Sequence, residues 1–345
     1  MPNLVEIGNL KGFGTAESRW AAYGPYYAMF PIQFAFEIVE RFSTEGDFVL
    51  DPFAGRCSSI YAASVLGRKG WGIEINPVGW LYGKVKLNPA VFNKVEKRLR
   101  DVKALENTFI KKIPELPKFF HYCFCADVLK FLLVCRAYLD WKTNDVDATL
   151  MATILVHLHG KLGEGLSNQM RQTKAMGPEY SVNWWIQNGM EKPPQINPFD
   201  FILNRLRWRY KHGIPVGAEA RILLGDSVTE LDKLKKLSKT KCFKFSLLFT
   251  SPPYYSITNY HSDQWLRLWM LGNKPYPNSE KHEHKGRFLS KEKYQDLLLK
   301  VFSQSSKLMK SQSVIYVRTD ARKFTFNCTK ETLEKCFPAH KMEID

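Results

Sequence analysis

The residues best equipped for chemistry are Thr250-Ser251-Pro252-Pro253-Tyr254-Tyr255, which combine a short hydroxyl, carbonyls set among residues without N–H donors, and an aromatic face. That set suits a planar exocyclic amino group such as N4 of cytosine or N6 of adenine. Such a nitrogen is a poor nucleophile because its lone pair is delocalised into the ring, so acceptors must draw on its protons. The Ser251 hydroxyl and the Pro252 carbonyl can accept those hydrogen bonds, while Tyr254 stacks on a base taken out of its helix. A Pro-Pro turn closing an apolar strand is the plainer use of the same residues.

The surrounding elements favour the chemical use. Lys244 to Phe249 is a short apolar run of strand character that delivers the motif to a sheet edge, where open α/β sheets bind ligands. Some two hundred residues earlier, Asp47 to Gly55 reads as a buried strand feeding a tight turn, and Ser58 to Leu66 has helical apolar spacing. Gly70 to Pro77 then reads as a second strand ending in an acid, Glu74, about twenty residues after the turn, the spacing at which a carboxylate meets ribose hydroxyls. A nucleoside-bearing cofactor is implied. The turn has neither a three-glycine fingerprint nor a Gly-Lys-Ser/Thr cradle, so a cofactor without phosphates fits best.

Asp51-Pro52-Phe53-Ala54-Gly55 with Glu74, together with Thr250-Ser251-Pro252-Pro253-Tyr254, resembles the S-adenosylmethionine-dependent amino-methyltransferases of DNA. The serine-containing form is most frequent in cytosine-N4 enzymes. Tyr26 to Pro31 resembles the family's first cofactor motif, and the resemblance implies that Met29 and Phe30 close over the methionine end of the cofactor, which Asp51, Phe53, Ala54 and Gly55 hold. Leu223 to Ser227 resembles the Gly-Asp-Ser segment before the catalytic strand, implying cofactor contacts at Asp226, aimed at the adenine amino group, and Ser227. Asn259 to Trp269 resembles the segment after the catalytic loop. The likeness covers roughly residues 20–85 and 220–335. Two features depart from the pattern: Arg56-Cys57-Ser58-Ser59 stands where a second glycine is usual, and the terminal hairpin of the fold is expected to be short or absent. The cofactor half comes first, a permuted order relative to members that begin with Ser-Pro-Pro-Tyr.

A net charge of +16 over 345 residues suits a polyanionic partner, and 45% hydrophobic content allows a large core. No signal peptide and no run of about eighteen apolar residues is visible, so a cytoplasmic or nuclear location is expected, with no membrane partner. Seven cysteines without Cys-x-x-Cys pairs read as reduced thiols, and no metal is expected at Cys123/Cys125 or His157/His159. No cysteine follows a proline, which disfavours the covalent route to C5 of pyrimidines.

The expected architecture is α/β: a Rossmann-like methyltransferase sheet, mostly parallel with helices on both faces, plus a largely helical insertion. Residues 1–85 and 219–345 would form the two parts of the methyltransferase domain, and 86–218 the target-recognition insertion over the cleft. Within it, Arg171, Lys174, Trp184, Trp185, Arg207 and Arg209 are candidate contacts to double-stranded DNA through phosphates and stacked bases, although the two tryptophans could equally pack the insertion onto the sheet. His261 reads as a positioning or packing residue rather than a base. The expected reaction is methyl transfer to N4 of a flipped cytosine, with a restriction-modification setting and a cognate restriction endonuclease as partner. Adenine-N6 methylation, guanine-N2 methylation of RNA and a binding module without activity are the alternatives.

Overall fold

The computed structural model describes residues 10, 12–26, 30–255, 260–277 and 290–345. Five parallel strands are joined in the order β3-β2-β1-β4-β5, with β1 at Phe48–Asp51, β2 at Lys69–Glu74, β3 at Ala220–Leu224, β4 at Phe245–Thr250 and β5 at Met309–Val317. Chain order runs outward from β1 in one direction and then restarts at β4 in the other. The crevice between β1 and β4 is therefore the topological switch point, where open α/β sheets receive ligands.

Alternation along the central strands builds two helical layers. Val49, Leu247 and Phe249 join the core shared with helices α1 (Ala16–Ala21), α2 (Ile32–Phe42), α3 (Ser58–Val65) and α4 (Pro77–Leu87). Leu50, Ile73 and Leu248 point to the other face and pack with the helices spanning Ser227–Lys241, Lys291–Ser306 and Lys323–Cys336. Both faces of β4 are covered, which is why Phe245, Leu247, Leu248 and Phe249 are apolar on either side of it. Among the described residues no strand follows β5.

The segment between the two halves is helical, as its composition predicts. Its helices at Phe92–Ala104, Ala126–Tyr138, Asp145–His157, Pro178–Gln187 and Pro198–Tyr210 extend the first core, through Leu99, Leu132, Leu155 and Leu206, into a continuous apolar cluster. The helix Asp145–His157 is followed by an isolated bridge between Gly160 and Gln169. His159 is buried there with Nδ1 2.8 Å from the Arg171 carbonyl oxygen, a packing position. No helix among the described residues is long and apolar enough to cross a membrane.

The departure at Cys57 has a structural answer. Cys57 adopts φ +67°, the left-handed region that glycine reaches without penalty, and caps the start of α3. Its buried side chain fits because α4 carries Gly83 opposite it: a Cβ at 83 would lie 2.8 Å from Cys57 Cβ and 2.6 Å from Ile222 Cδ1. Gly83→Ala is therefore expected to destabilise by about 1–2 kcal/mol net, after the roughly 1 kcal/mol of helix propensity that alanine adds. In a Cys57→Gly background at least half of that loss should vanish. Urea unfolding of the four proteins of this double-mutant cycle measures it, and equal penalties in both backgrounds would refute the pairing.

Candidate active site

Four of the sequence motifs set out above reach the same edge of the sheet. Asp51 ends β1, Glu74 ends β2, Gly225 and Asp226 follow β3, and Ser251 to Tyr255 follow β4. The turn after β1 is fixed from several sides. Ala54 N–H donates to the Ile73 carbonyl at 2.9 Å, Gly225 N–H to the Glu74 carbonyl at 3.0 Å, and Ser227 Oγ to the Pro52 carbonyl at 2.6 Å. These bonds join the ends of β1, β2 and β3 into one rim.

Asp51 lies beneath that rim, 1% exposed, and its carboxylate is occupied by the protein itself. Oδ1 accepts from Phe53 N–H at 3.0 Å and from Thr250 Oγ1 at 2.6 Å, and Oδ2 accepts from Ser59 Oγ. Burial outweighs these donors and pushes its pKa up to about 6. The carboxylate shapes the turn rather than offering free lone pairs to a ligand. Gly55, at φ +54°, presents an open surface: a Cβ there would meet only the Tyr26 ring edge, at 3.9 Å.

Glu74 is the second buried acid, raised to about 8 by burial against hydrogen bonds from Asn76 N–H, Gly55 N–H and the Tyr26 hydroxyl. Between its ordinary value near 4.5 and about 8, the folded chain holds this proton more tightly than the unfolded chain does. Stability therefore falls as pH rises through that window. Between pH 7 and 9, above the value of about 6 around which Asp51 titrates, the loss should approach about 1.4 kcal/mol in wild type and flatten in Glu74→Gln. Denaturant unfolding at several pH values reads this out, and parallel pH profiles for the two proteins would contradict it.

One buried donor lies beside Glu74. Asn76 Oδ1 accepts from Val78 N–H, leaving Nδ2 buried with no partner among the described residues. An open glycine turn, a carboxyl group at a strand end and an unpaired amide donor together fit a nucleoside-bearing cofactor. Asp226 is half-buried and caps its helix through Thr229 N–H.

Across the crevice, Pro252 is buried while Ser251, Pro253 and Tyr254 are half-exposed. The Ser251 hydroxyl meets the Tyr254 hydroxyl at 3.4 Å. Tyr255 anchors the exit of the loop: its ring packs edge-on against Phe324 at 4.9 Å, and its carbonyl accepts from Arg322 at 2.6 Å. Phe30 stacks on Phe249 with ring centroids 4.7 Å apart, so its ring supports the catalytic strand from the α2 side. Met29 and the side chain of His261 lie outside the described residues.

The insertion meets this edge through residues 172–176. Gln264 donates to the Thr173 carbonyl at 3.0 Å, Trp265 Nε1 to the Met176 carbonyl at 3.0 Å, and Ala175 N–H to the Asp263 carbonyl at 2.9 Å. Lys174 pairs with Asp263 at 2.7 Å, and Arg171 is exposed beside it. Two of the expected DNA contacts must be withdrawn. Trp185 is 1% exposed, with its indole N–H on the Gln169 carbonyl, so it packs the insertion. Arg209 is 7% exposed, donates to the Arg19 carbonyl and lies over Trp20, Tyr23 and Trp208. On the helix Pro198–Tyr210, Arg207 and Arg209 stand about 200° apart and so do not share one face. Trp184 is half-buried against the core, and Arg207 remains exposed.

The sequence reading assigned no role to Thr250, Ser59 or Tyr26. A threonine ending an otherwise apolar strand was the available signal, because a buried hydroxyl requires a partner.

The family model described as DNA methylase, for N6 and N4 methyltransferases, matches residues 9–78. That stretch holds the turn after β1, Glu74 and the start of α4. No curated protein matches the chain. The family model matches the cofactor-side motif, and the Ser-Pro-Pro-Tyr loop stands across the switch point from it on a parallel sheet, which together support a likeness to the N4/N6 DNA amino-methyltransferases.

Proposed function

We propose that the chain transfers a methyl group from S-adenosylmethionine to N4 of a cytosine flipped out of double-stranded DNA. The observation that carries this reading is the hydrogen bond from Thr250 to Asp51, which brings the two motif-bearing strand ends to one crevice. Families of this type generally use S-adenosylmethionine, and the bound cofactor supplies an electrophilic methyl group on a sulfonium sulfur.

The chain's own residues do the rest. Phe53, Ala54 and Gly55 border the methionine end, with Asp51 holding their turn from below. Glu74 and Asn76 meet the ribose, and Asp226 with Ser227 borders the adenine. Ser251 Oγ and the Pro252 carbonyl accept from the target amino group, and Tyr254 stacks on its ring. Alignment and removal of water supply most of the acceleration. The proton released on transfer leaves to solvent.

Around the site, Arg171 and Lys174 approach phosphates, and Tyr180, 58% exposed on the neighbouring helix, is an aromatic of the insertion open to a base. Residues 86–218 would thus serve as the target-recognition element, while 1–85 and 219–345 form the methyltransferase body.

Serine at position 251, by resemblance, favours cytosine-N4 over adenine-N6. A restriction-modification setting with a cognate endonuclease rests on the same resemblance. The test is to incubate the purified protein with labelled cofactor and mixed-sequence duplex, digest to nucleosides and identify the labelled species. N4-methylcytosine is the expected product. Label in N6-methyladenine would move the assignment to adenine, and label confined to RNA would overturn the DNA substrate.

A further inference from the structure

The ladder between β1 and β4 is short: its register pairs Val49 with Leu247 and Leu50 with Leu248. Beyond those pairs the two strand ends flank the crevice, one leading into the cofactor turn and the other into Ser251. What spans the gap is a side-chain bond, Thr250 Oγ1 to Asp51 Oδ1 at 2.6 Å, between residues 199 apart in sequence. Both partners are buried, with Thr250 at 0% exposure.

The two residues are braced on their outer sides as well. Asp51 also holds Phe53 N–H and Ser59 Oγ, fixing the turn and the first turn of α3. The Thr250 carbonyl accepts from Arg318 N–H at 3.0 Å, tying the same residue to the end of β5. Among the described residues, this hydroxyl–carboxylate contact is the side-chain hydrogen bond that joins the two strand ends beyond the ladder, and each end is anchored on its outer side. Valine has nearly the same shape as threonine but no donor, and would replace that contact with a repulsion between a carboxylate oxygen and a methyl group.

We infer that Thr250 is a positioning residue for methyl transfer, holding the cofactor turn and the Ser251 loop at the separation the reaction requires. This rests on the methyl-transfer reading above. Thr250 touches neither cofactor nor base, so its loss should act on kcat and spare binding. In-line transfer tolerates little error in distance, and a misplacement of about 1 Å costs on the order of 100-fold.

The experiment compares wild type, Thr250→Val, Thr250→Ala and Thr250→Ser for kcat, KM for duplex DNA and Kd for S-adenosylhomocysteine by calorimetry. Expected are a fall of about 10- to 100-fold in kcat for the valine and alanine variants, binding constants within about threefold of wild type, and recovery in the serine variant to within about threefold. The alanine variant carries the test if valine fails to fold. An active wild type matched in kcat by both hydroxyl-free variants overturns the role. So does a loss of cofactor affinity as large as the loss of kcat, or a serine variant as slow as alanine. A wild-type protein that methylates no amino group overturns the parent reading and this role together.

Discussion

Replacing Ser251 with alanine is expected to lower kcat by roughly 30- to 150-fold while leaving cofactor affinity and stability close to wild type. As the methyl group transfers, positive charge develops on the amino nitrogen, and each acceptor bound to its protons gains strength. A hydrogen bond to a charged group contributes about 1.5–3 kcal/mol, and the upper part of that range corresponds to this loss of rate. The Pro252 carbonyl remains as the second acceptor, which sets a floor under the decline. Among the described residues little else depends on the Ser251 hydroxyl, whose contact there is the 3.4 Å approach to the Tyr254 hydroxyl. Ser251→Asn, which keeps an acceptor, should retain more activity than alanine. Single-turnover kinetics with labelled cofactor measure the step directly. An alanine variant as fast as wild type would remove Ser251 from the mechanism.

Arg267→Met is expected to have the largest effect on stability, about 3–6 kcal/mol. Arg267 is 0% exposed and lies between the insertion and the segment after the catalytic loop. Its guanidinium donates to the Leu155 carbonyl at 2.9 Å, to Gln264 Oε1 at 2.7 Å and to the Gln172 carbonyl at 2.6 Å. Burial lowers its pKa from 12.5, so the charge is held at a cost that those acceptors offset. Methionine fills similar volume but leaves the buried Leu155 and Gln264 acceptors and the part-buried Gln172 carbonyl without their donor, at about 1–3 kcal/mol each, less whatever water regains. Urea denaturation gives the magnitude. Hydrogen exchange should show the loss concentrated at residues 155–176 and 264–270, where the acceptors lie. Uniform exchange across the chain, or a loss under about 1 kcal/mol, would show that the arginine is not the joint between these segments.

The two predictions divide along the line between local chemistry and long-range packing. Ser251 was identified from its own neighbours, because an acceptor, two prolines and an aromatic ring follow directly on an apolar run that carries them to a strand end. The strands at Phe48–Asp51, Lys69–Glu74 and Phe245–Thr250 were legible for a similar reason: buried parallel strands are written as short apolar runs, and the turns that follow them carry glycine, proline or an acid. Arg267 was quoted only as part of a motif. Nothing in its neighbourhood distinguishes an arginine that binds three carbonyl groups from one that reaches solvent.

The same limit explains the withdrawn DNA contacts. Trp185 and Arg209 have the residue types of a nucleic-acid surface, and their burial depends on helices whose packing partners are distant in sequence. Trp185 is covered by Phe119 at 5.6 Å, and Arg209 by the helix that begins at Ala16. The substitution at Cys57 was visible as a departure, but the space that admits it belongs to Gly83.

The sequence alone determined which atoms were present for the reaction and on which local elements they sit, because hydroxyl, carbonyl, carboxylate and apolar periodicity are properties of neighbouring residues. Only the tertiary structure decided that the turn after β1 and the loop after β4 face one crevice, that Asp51 is committed to holding them, and which charged residues of the insertion remain exposed. Those outcomes depend on contacts between residues as much as 199 positions apart. Burial and hydrogen-bond satisfaction exist only once the strands and helices have been brought together.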